Sequence, residues 1–301
     1  MTSVLKRIYH SFCHVYERRD LTTWDVEPDT HAPIYGVYHL MMDTGWEELA
    51  AEQLGELQDS GLLDATEKLY ISVITDDTDR LEQLRQMLPS PKMELISLKS
   101  NPREYEYPAL KFIKQLAGRE DCLIYYFHSK GISYQCLDSN DPTFRSFSRK
   151  IKAWRKLIQH FIFYRWRVAV NALTEGYDTY GSYRWPPKNY TMFSGNFWWV
   201  RSAFIRKLPD FDTEVIRTNR FYSEVWLFER PQRCLSAFET IADLYYVNIP
   251  PSIYREAHPP LADRLRFVLT YNYRKFLKHA CHYDYKKRCQ QRFQELKEKI
   301  A

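Results

Sequence analysis

The chain has 301 residues, of which 45% are apolar and 27% charged, and this composition excludes a disordered or fibrous protein. The net charge of +5 is a modest excess of bases, concentrated after residue 260. No run approaches the roughly 18 consecutive apolar residues of a membrane-spanning helix, and residues 1–20 lack the apolar core of a signal peptide. Six scattered cysteines without a Cys-x-x-Cys repeat predict reduced thiols. We therefore expect a cytoplasmic globular protein.

Strands and helices alternate after a basic, aromatic lead-in at residues 1–31. Apolar runs predict strands at 33–41, 69–75, 93–98 and 122–128. Helical spacing predicts a helix capped by Thr44 and ended by Gly61, a second helix after Asp76–Asp79, and a third around residues 108–118. This alternation is typical of βαβ units and predicts an α/β fold with a mainly parallel sheet.

The pattern changes after residue 140. A long helix is predicted over 142–176, with Gly176 as its end. Short strands follow, one of them ending at Phe193, and a helix starts near Ser202. From Leu261 the chain is predicted to form one or two basic helices.

The stretch CLIYYFHSKGIS, residues 122–133, is a buried strand that ends in polar residues. Ligands of open α/β sheets bind at the carboxyl ends of strands, so His128, Ser129 and Lys130 form a candidate anion-binding loop. The alternative is a plain turn in which Gly131 supplies a positive φ and Lys130 is solvated.

Five segments, in order, resemble a group of glycosyltransferase-like proteins of bacterial and large-virus polysaccharide synthesis. They are GWEELAAEQLGELQDSGLLD, YYFHSKGIS, GYDTYGSYR, FSGNFWWVRSAFIRKLP and RFYSEVWLF, between Ile34 and Phe228. The resemblance implies a GT-A-type fold at 32–260, with a nucleotide half at about 32–140 and an acceptor half at about 141–260. Residues 261–301 would be a basic helical extension.

Many such enzymes hold a divalent metal with Asp-x-Asp where this chain has His128, Ser129 and Lys130. The leaving nucleoside diphosphate gains negative charge, so a cation must stabilise it. The resemblance therefore implies that Lys130 and His128 do this without metal, and that no cofactor is required. A manganese-dependent enzyme is the alternative.

An Asp-x-Asp does occur at Asp77–Asp79, after the second strand rather than the fourth. Acids at a helix start are favoured by capping and by the helix dipole, so a structural cap is the first interpretation. A metal site is the second. In the third, Asp76 or Asp77 hydrogen-bonds the base or ribose of the nucleotide.

The remaining candidates follow from the resemblance. Inverting transfer needs a base near the anomeric carbon, and Glu224 is our candidate, with a capping or salt-bridged Glu as the alternative. Tyr38 or His39, at the end of the first strand, could stack on the nucleotide base, unless His39 is simply buried. The predicted acceptor-binding residues are Ser194, Gly195, Asn196 and Trp198.

Trp198 and its neighbour Trp199 should point to opposite faces of a strand, so one of them is expected in the core.

The basic tail predicts either an amphipathic helix on an anionic membrane surface, near a lipid-linked acceptor, or a helix packed on the domain. Two other function classes stay open. Basic residues interleaved with aromatic ones suit a nucleic-acid-binding protein, and the missing Asp-x-Asp suits a non-catalytic glycan-binding protein. The expected partners are a nucleotide sugar and a glycan or glycolipid, with no nucleic acid.

Overall fold

The structure, a computed structural model, describes residues 12–88, 90–134 and 140–299, apart from the side chains of Tyr134, Thr213 and Arg217. Part of the predicted lead-in, residues 1–11, and the thiol of Cys136 lie outside the described residues. The five cysteines that are described are free thiols, as predicted.

The described residues form two compact units. One, which we call the sheet unit, comprises Asp20–Ser133 and Ile158–Ala237. The other, the terminal unit, is built from residues 12–19, 140–157 and 238–299.

The strands are β1 (Tyr16–Arg18), β2 (Ile34–Met41), β3 (Lys68–Ile74), β4 (Met93–Lys99), β5 (Leu123–His128), β6 (Thr179–Gly181), β7 (Arg184–Trp185), β8 (Met192–Phe193), β9 (Trp198–Arg201), β10 (Cys234–Ser236) and β11 (Phe238–Thr240). The helices are α1 (Trp46–Asp59), α2 (Leu62–Ala65), α3 (Thr78–Met87), α4 (Tyr107–Arg119), α5 (Pro142–Gln159), α6 (Trp166–Thr174), α7 (Ser202–Ile205), α8 (Thr213–Thr218), α9 (Tyr222–Val225), α10 (Ser252–Arg255), α11 (Leu261–Ala280) and α12 (Tyr285–Glu298). Short 3₁₀ turns lie at Pro102–Glu104, Ile132–Tyr134 and Trp226–Phe228.

A seven-stranded sheet flanked by helices is the centre of the sheet unit, as the predicted α/β fold requires. Its strand order is β10-β6-β9-β5-β2-β3-β4. The neighbours β5, β2, β3 and β4 run parallel, and so do β10 and β6. Strand β9 is antiparallel to both β5 and β6. The fold is therefore mixed α/β with a mostly parallel sheet, compatible with a Rossmann-like arrangement.

Both faces of the sheet are packed with aromatic side chains. Successive residues of a strand point to opposite faces, so Tyr126 packs on Trp198 at 4.9 Å while Tyr125 packs on Trp199 at 5.0 Å. Helix α4 covers the first of these faces with its buried apolar residues, which include Leu110. The sheet is buried on both sides, which explains its near-continuous apolar strands.

Gly36 makes room for one of these rings. A Cβ at this position would lie 2.3 Å from Cζ of Tyr125, closer than side chains approach. The Tyr125 hydroxyl is hydrogen-bonded to Thr66 Oγ1 at 3.1 Å. Glycine is needed here for the close approach of two strands.

Two predicted helix features were wrong. Helix α1 starts after Gly45, which has a left-handed φ of 79°, because the Asp43 carboxylate accepts from the Thr44 N–H and turns the chain first. The predicted long helix at 142–176 is interrupted by a π-helical segment, His160–Tyr164, between α5 and α6. The ends at Gly61 and Gly176 are confirmed, with φ of 73° and 95°.

The terminal unit joins β1 and β11 as an antiparallel pair and packs α5 with α12. The Lys150 ammonium donates to the Tyr285 hydroxyl at 2.9 Å, and Arg292 pairs with Asp141 at 2.8 Å. The predicted helices of the tail are confirmed as α11 and α12. Within residues 12–88, 90–134 and 140–299, the protein has no helix whose length and hydropathy would let it cross a bilayer.

Candidate active site

The loop after β5 leaves the sheet through a tight turn. The Ser129 N–H donates to the His39 carbonyl at 3.0 Å, and the Ser129 hydroxyl accepts from the Met41 N–H at 3.0 Å. Gly131 has φ of 89°, so the predicted positive φ is confirmed. The turn leaves Lys130 half-buried at the carboxyl edge of the parallel strands.

His128 is buried at the end of β5, and its Nε2 lies 2.9 Å from the Gly195 carbonyl oxygen. Burial, with a further contribution from Lys130, lowers the pKa of His128 to about 3. The imidazole is therefore neutral at pH 7, and its Nε2–H donates to Gly195. The prediction that His128 acts as a cation beside Lys130 is therefore wrong. Of these two side chains, Lys130 is the one that can carry the positive charge.

Glu106 is the residue at this site that sequence reasoning missed. It is at the N-cap position of α4, and its side chain is only 13% exposed. Its Oε2 accepts from the Tyr126 hydroxyl at 2.8 Å and from Asn196 Nδ2 at 2.5 Å. Its Oε1 lies 4.0 Å from His128 Nε2. In the sequence it resembles an ordinary acid at a helix start, and its partners lie on other segments.

The turn Ser194–Asn196 is buried rather than open. The Asn196 N–H donates to the Phe193 carbonyl at 3.0 Å, and Gly195 has φ of 82°, as the third position of a type II turn requires. Asn196 is itself left-handed, with φ of 55°. Its Nδ2 donates to Glu106 and its Oδ1 accepts from Trp198 Nε1 at 2.9 Å. The side-chain amide of Asn196 thus connects Glu106 to Trp198. Since both ends of the amide are engaged in buried hydrogen bonds, the prediction that Asn196 binds the acceptor does not agree with the structure.

Trp198 and Trp199 are both in the core, 1% and 0% exposed. The prediction that Trp198 binds the acceptor is therefore wrong, because neither face of its indole is accessible. Ser194 is also buried, and its N–H donates to the Tyr183 carbonyl at 2.8 Å.

Glu224 lies on the short helix α9 and is half-exposed. Within the described part of the chain its carboxylate makes no hydrogen bond or salt bridge, so the alternative of a salt-bridged Glu finds no partner there. Its neighbour Ser223 accepts from Asn196 Nδ2 through the main-chain carbonyl at 3.4 Å. Glu224 is therefore next in the chain to the buried cluster while still in contact with solvent.

Tyr38 and His39 are both buried at the end of β2. The Tyr38 ring stacks on Phe127 at 4.3 Å and its hydroxyl donates to Gln53 Oε1 at 2.8 Å, so the ring is not open to a nucleotide base. Burial lowers the pKa of His39 to about 4. Among the described residues, His39 Nδ1 has no hydrogen-bond partner. The predicted burial of His39 is confirmed, but its Nδ1 is not satisfied by the described residues.

A pocket of about 270 Å³ opens at the carboxyl ends of β3 and β4. It is lined by Thr75, Asp76, Asp77, Thr78, Leu81, Leu98 and Ser100. Asp77 caps α3 by accepting from the Asp79 and Arg80 N–H groups at 2.9 and 3.2 Å, which confirms the structural-cap interpretation. Asp76 is exposed at the pocket.

The pocket and the His128 cluster lie along one edge of the sheet. Strands β5, β2 and β3 are neighbours, and neighbouring strands are about 4.8 Å apart. The ends of β3 at Ile74 and of β5 at His128 are therefore about 10 Å apart across the sheet. In the described ranges, no group of three or more His, Cys, Asp or Glu side chains is arranged to hold a metal ion.

No protein-family model matches the chain, and no curated protein is significantly similar to it. The case for a function therefore rests on the residues of this edge.

Proposed function

We propose that the protein is an inverting, metal-independent glycosyltransferase of the GT-A type. It would move a sugar from a nucleotide-sugar donor to a hydroxyl of a growing glycan, on the cytoplasmic side of the membrane. The observation that supports this most strongly is that Lys130 and Glu224, far apart in the sequence, adjoin the same buried cluster. Lys130 follows His128, whose Nε2 lies 2.9 Å from the Gly195 carbonyl oxygen, and Glu224 follows Ser223, whose carbonyl accepts from Asn196 Nδ2 at 3.4 Å.

In this proposal the donor lies along the carboxyl edge of the sheet. Asp76 hydrogen-bonds the ribose or base in the pocket beside β3, and the diphosphate reaches Lys130. The span of about 10 Å between the two strand ends suits a nucleoside diphosphate. Ligands of open α/β sheets occupy this edge.

Lys130 stabilises the leaving group. Negative charge grows on the diphosphate as the glycosidic bond breaks, and a fixed cation in a partly buried place stabilises it without reorganisation of solvent. Lys130 directly follows His128, and its charge adds to burial in lowering the pKa of that imidazole. We propose metal-independent transfer because this cation is already supplied by the chain.

Glu224 is the general base. Its half-exposed carboxylate follows Ser223, which contacts Asn196 of the buried cluster, and makes no hydrogen bond or salt bridge inside the described residues. It can therefore accept the proton of an acceptor hydroxyl as that oxygen attacks the anomeric carbon. Attack from the face opposite the diphosphate gives inversion.

The other buried residues hold this arrangement. The neutral imidazole of His128 donates to Gly195 and fixes the turn before β9 to the end of β5. Glu106 fixes Asn196 and Tyr126. These residues position Lys130 and Glu224 and take no part in bond making.

The test is a panel of nucleotide sugars screened by thermal shift. Each nucleotide sugar is measured once in the presence of EDTA and once in the presence of manganese. We expect one nucleotide class to raise the melting temperature equally in both conditions. That donor is then incubated with candidate glycan acceptors, and the product is analysed by mass spectrometry and by NMR of the anomeric proton. Stabilisation only in the presence of manganese would overturn the metal-independent mechanism. Binding of glycans without binding of any nucleotide sugar would overturn the proposed glycosyltransferase activity.

A further inference from the structure

Helix α11 of the terminal unit exposes a row of large apolar side chains, each between 48% and 66% exposed. They are Leu261, Leu265, Leu269, Tyr273 and Phe276, which we call the apolar stripe. Isolated exposed apolar residues are common, but a contiguous row of five on one helix marks a surface that binds something.

The stripe lies on one side of the helix. Its members follow each other at steps of four, four, four and three residues, which at 100° per residue covers a sector about 120° wide and about 22 Å long. The opposite side anchors the helix, since Phe267 there is fully buried. A surface helix normally turns its one apolar side to the core. Helix α11 has, in addition, a second apolar side that faces solvent.

Basic residues flank the stripe on both sides. Arg264 and Lys275 lie along one border and Arg266 along the other, as helical spacing places them. Within the described part of the chain, none of the three forms a salt bridge. The two other bases of the helix are engaged, Lys278 with Asp284 and Arg274 over the ring of Tyr285.

We propose that the apolar stripe binds an anionic membrane surface. The helix lies in the plane of the interface, with the stripe at the boundary between headgroups and acyl chains and the three flanking bases on lipid phosphates. Charge complementarity favours this occupant. A second copy of the helix would bring the same positive charges together, and a nucleic acid would meet an apolar centre. This inference is independent of the sugar donor and of catalysis.

The test is co-sedimentation of the full chain with vesicles. We expect binding to vesicles that contain phosphatidylglycerol, weaker binding to pure phosphatidylcholine, and loss of binding as salt is raised. The probe is the vesicle itself, so the result does not depend on whether the protein transfers a sugar.

Substitutions separate the apolar and the charge contributions. The double variant Leu265→Glu, Leu269→Glu should lower the partition coefficient more than tenfold, because it places charges in the stripe. The double variant Arg264→Gln, Lys275→Gln should lower it about fivefold for each base removed, as expected near an anionic surface. Val26→Glu is the matched control, since Val26 is 54% exposed in the sheet unit, and it should bind as the wild type does.

Each variant is checked for folding by circular dichroism and for mass by sedimentation velocity. Wild-type protein that fails to bind anionic vesicles would overturn the proposal. So would equal binding by the Leu265→Glu, Leu269→Glu variant when it is folded. A wild-type dimer that the same substitutions convert to a monomer, without vesicle binding, would assign the stripe to a second copy instead.

Discussion

The side-chain amide of Asn196 donates a hydrogen bond to the carboxylate of Glu106 across the interior of the sheet unit. One residue is in the turn before β9 and the other begins α4. Both are buried or nearly so. Because Glu106 also accepts from Tyr126 of β5, this contact joins the segment that leads into the reversed strand to the parallel half of the sheet.

Glu106→Ala should destabilise the protein by about 2–4 kcal/mol, because Tyr126 and Asn196 would each lose a buried hydrogen bond to a charged acceptor. Glu106→Gln keeps an oxygen in the position of Oε2, so its loss should be smaller. Urea denaturation measures both. Equal stability of the alanine variant and the wild type would contradict the structural role.

Glu224→Gln should lower turnover about 10²–10⁴-fold while the donor dissociation constant stays within about twofold, because it removes only the general base. Steady-state kinetics and calorimetric titration of the donor measure the two effects. Glu229→Gln, which changes an exposed acid five residues further along the chain, is the control and should remain fully active. An active Glu224→Gln enzyme would remove the base assignment.

Lys130→Ala should weaken binding of the nucleoside diphosphate about tenfold or more, as expected for loss of a hydrogen bond to a charged group. Binding of the nucleoside alone should not change, because Lys130 contacts only phosphate in the proposed complex. Lys207→Ala, an exposed base elsewhere in the sheet unit, is the control. Equal losses for nucleoside and diphosphate would place Lys130 away from the phosphates.

Stability should fall in acid through His39, whose pKa is lowered to about 4 by burial. An unfolded histidine has a pKa near 6.5, so below that pH the unfolded chain binds the proton more tightly than the folded protein. The free energy of unfolding therefore declines as the pH drops from about 6.5 to about 4. His39→Asn should reduce the slope in this window by up to about 1.4 kcal/mol per pH unit, measured by urea denaturation. Above pH 7 the difference between the two proteins should be constant, and an unchanged slope would show that His39 accepts a proton in the folded state.

Gly36→Ala should destabilise the protein by about 1–3 kcal/mol, because its Cβ would overlap the ring of Tyr125. Gly55→Ala is the matched control. Gly55 is inside α1 with open space around it, so alanine should stabilise by about 0.5–1 kcal/mol. Thermal unfolding measures the melting temperatures of the two variants, which should change in opposite directions. Similar changes would show that β2 and β5 move apart to accommodate the added methyl group.

The parallel half of the sheet could be predicted because its strands are buried on both faces and are therefore nearly continuous apolar runs, such as Leu123–His128. The positive φ of Gly131 and the cap by Asp77 were also predictable, since both depend on local chemistry. Lys130 could be located at a strand end for the same reason.

The burial of Trp198 and the role of Glu106 could not be predicted in this way. Each depends on which segments become neighbours in the sheet, and the position of β9 between β5 and β6 leaves no local pattern. The neutral state of His128 depends in the same manner on Gly195 and on burial.

The reversed direction of β9 decides which part of the chain reaches the carboxyl edge of the parallel strands. A parallel strand brings its carboxyl end to this edge, but β9 brings its beginning, so the segment 182–197 arrives there instead of the residues after Arg201. Residues 186–191 of that segment connect β7 and β8, and this loop can change in length without shifting the register of the seven-stranded sheet. In the proposed enzyme, specificity for a different acceptor could therefore evolve by insertion in this loop alone, with the rest of the sheet unchanged.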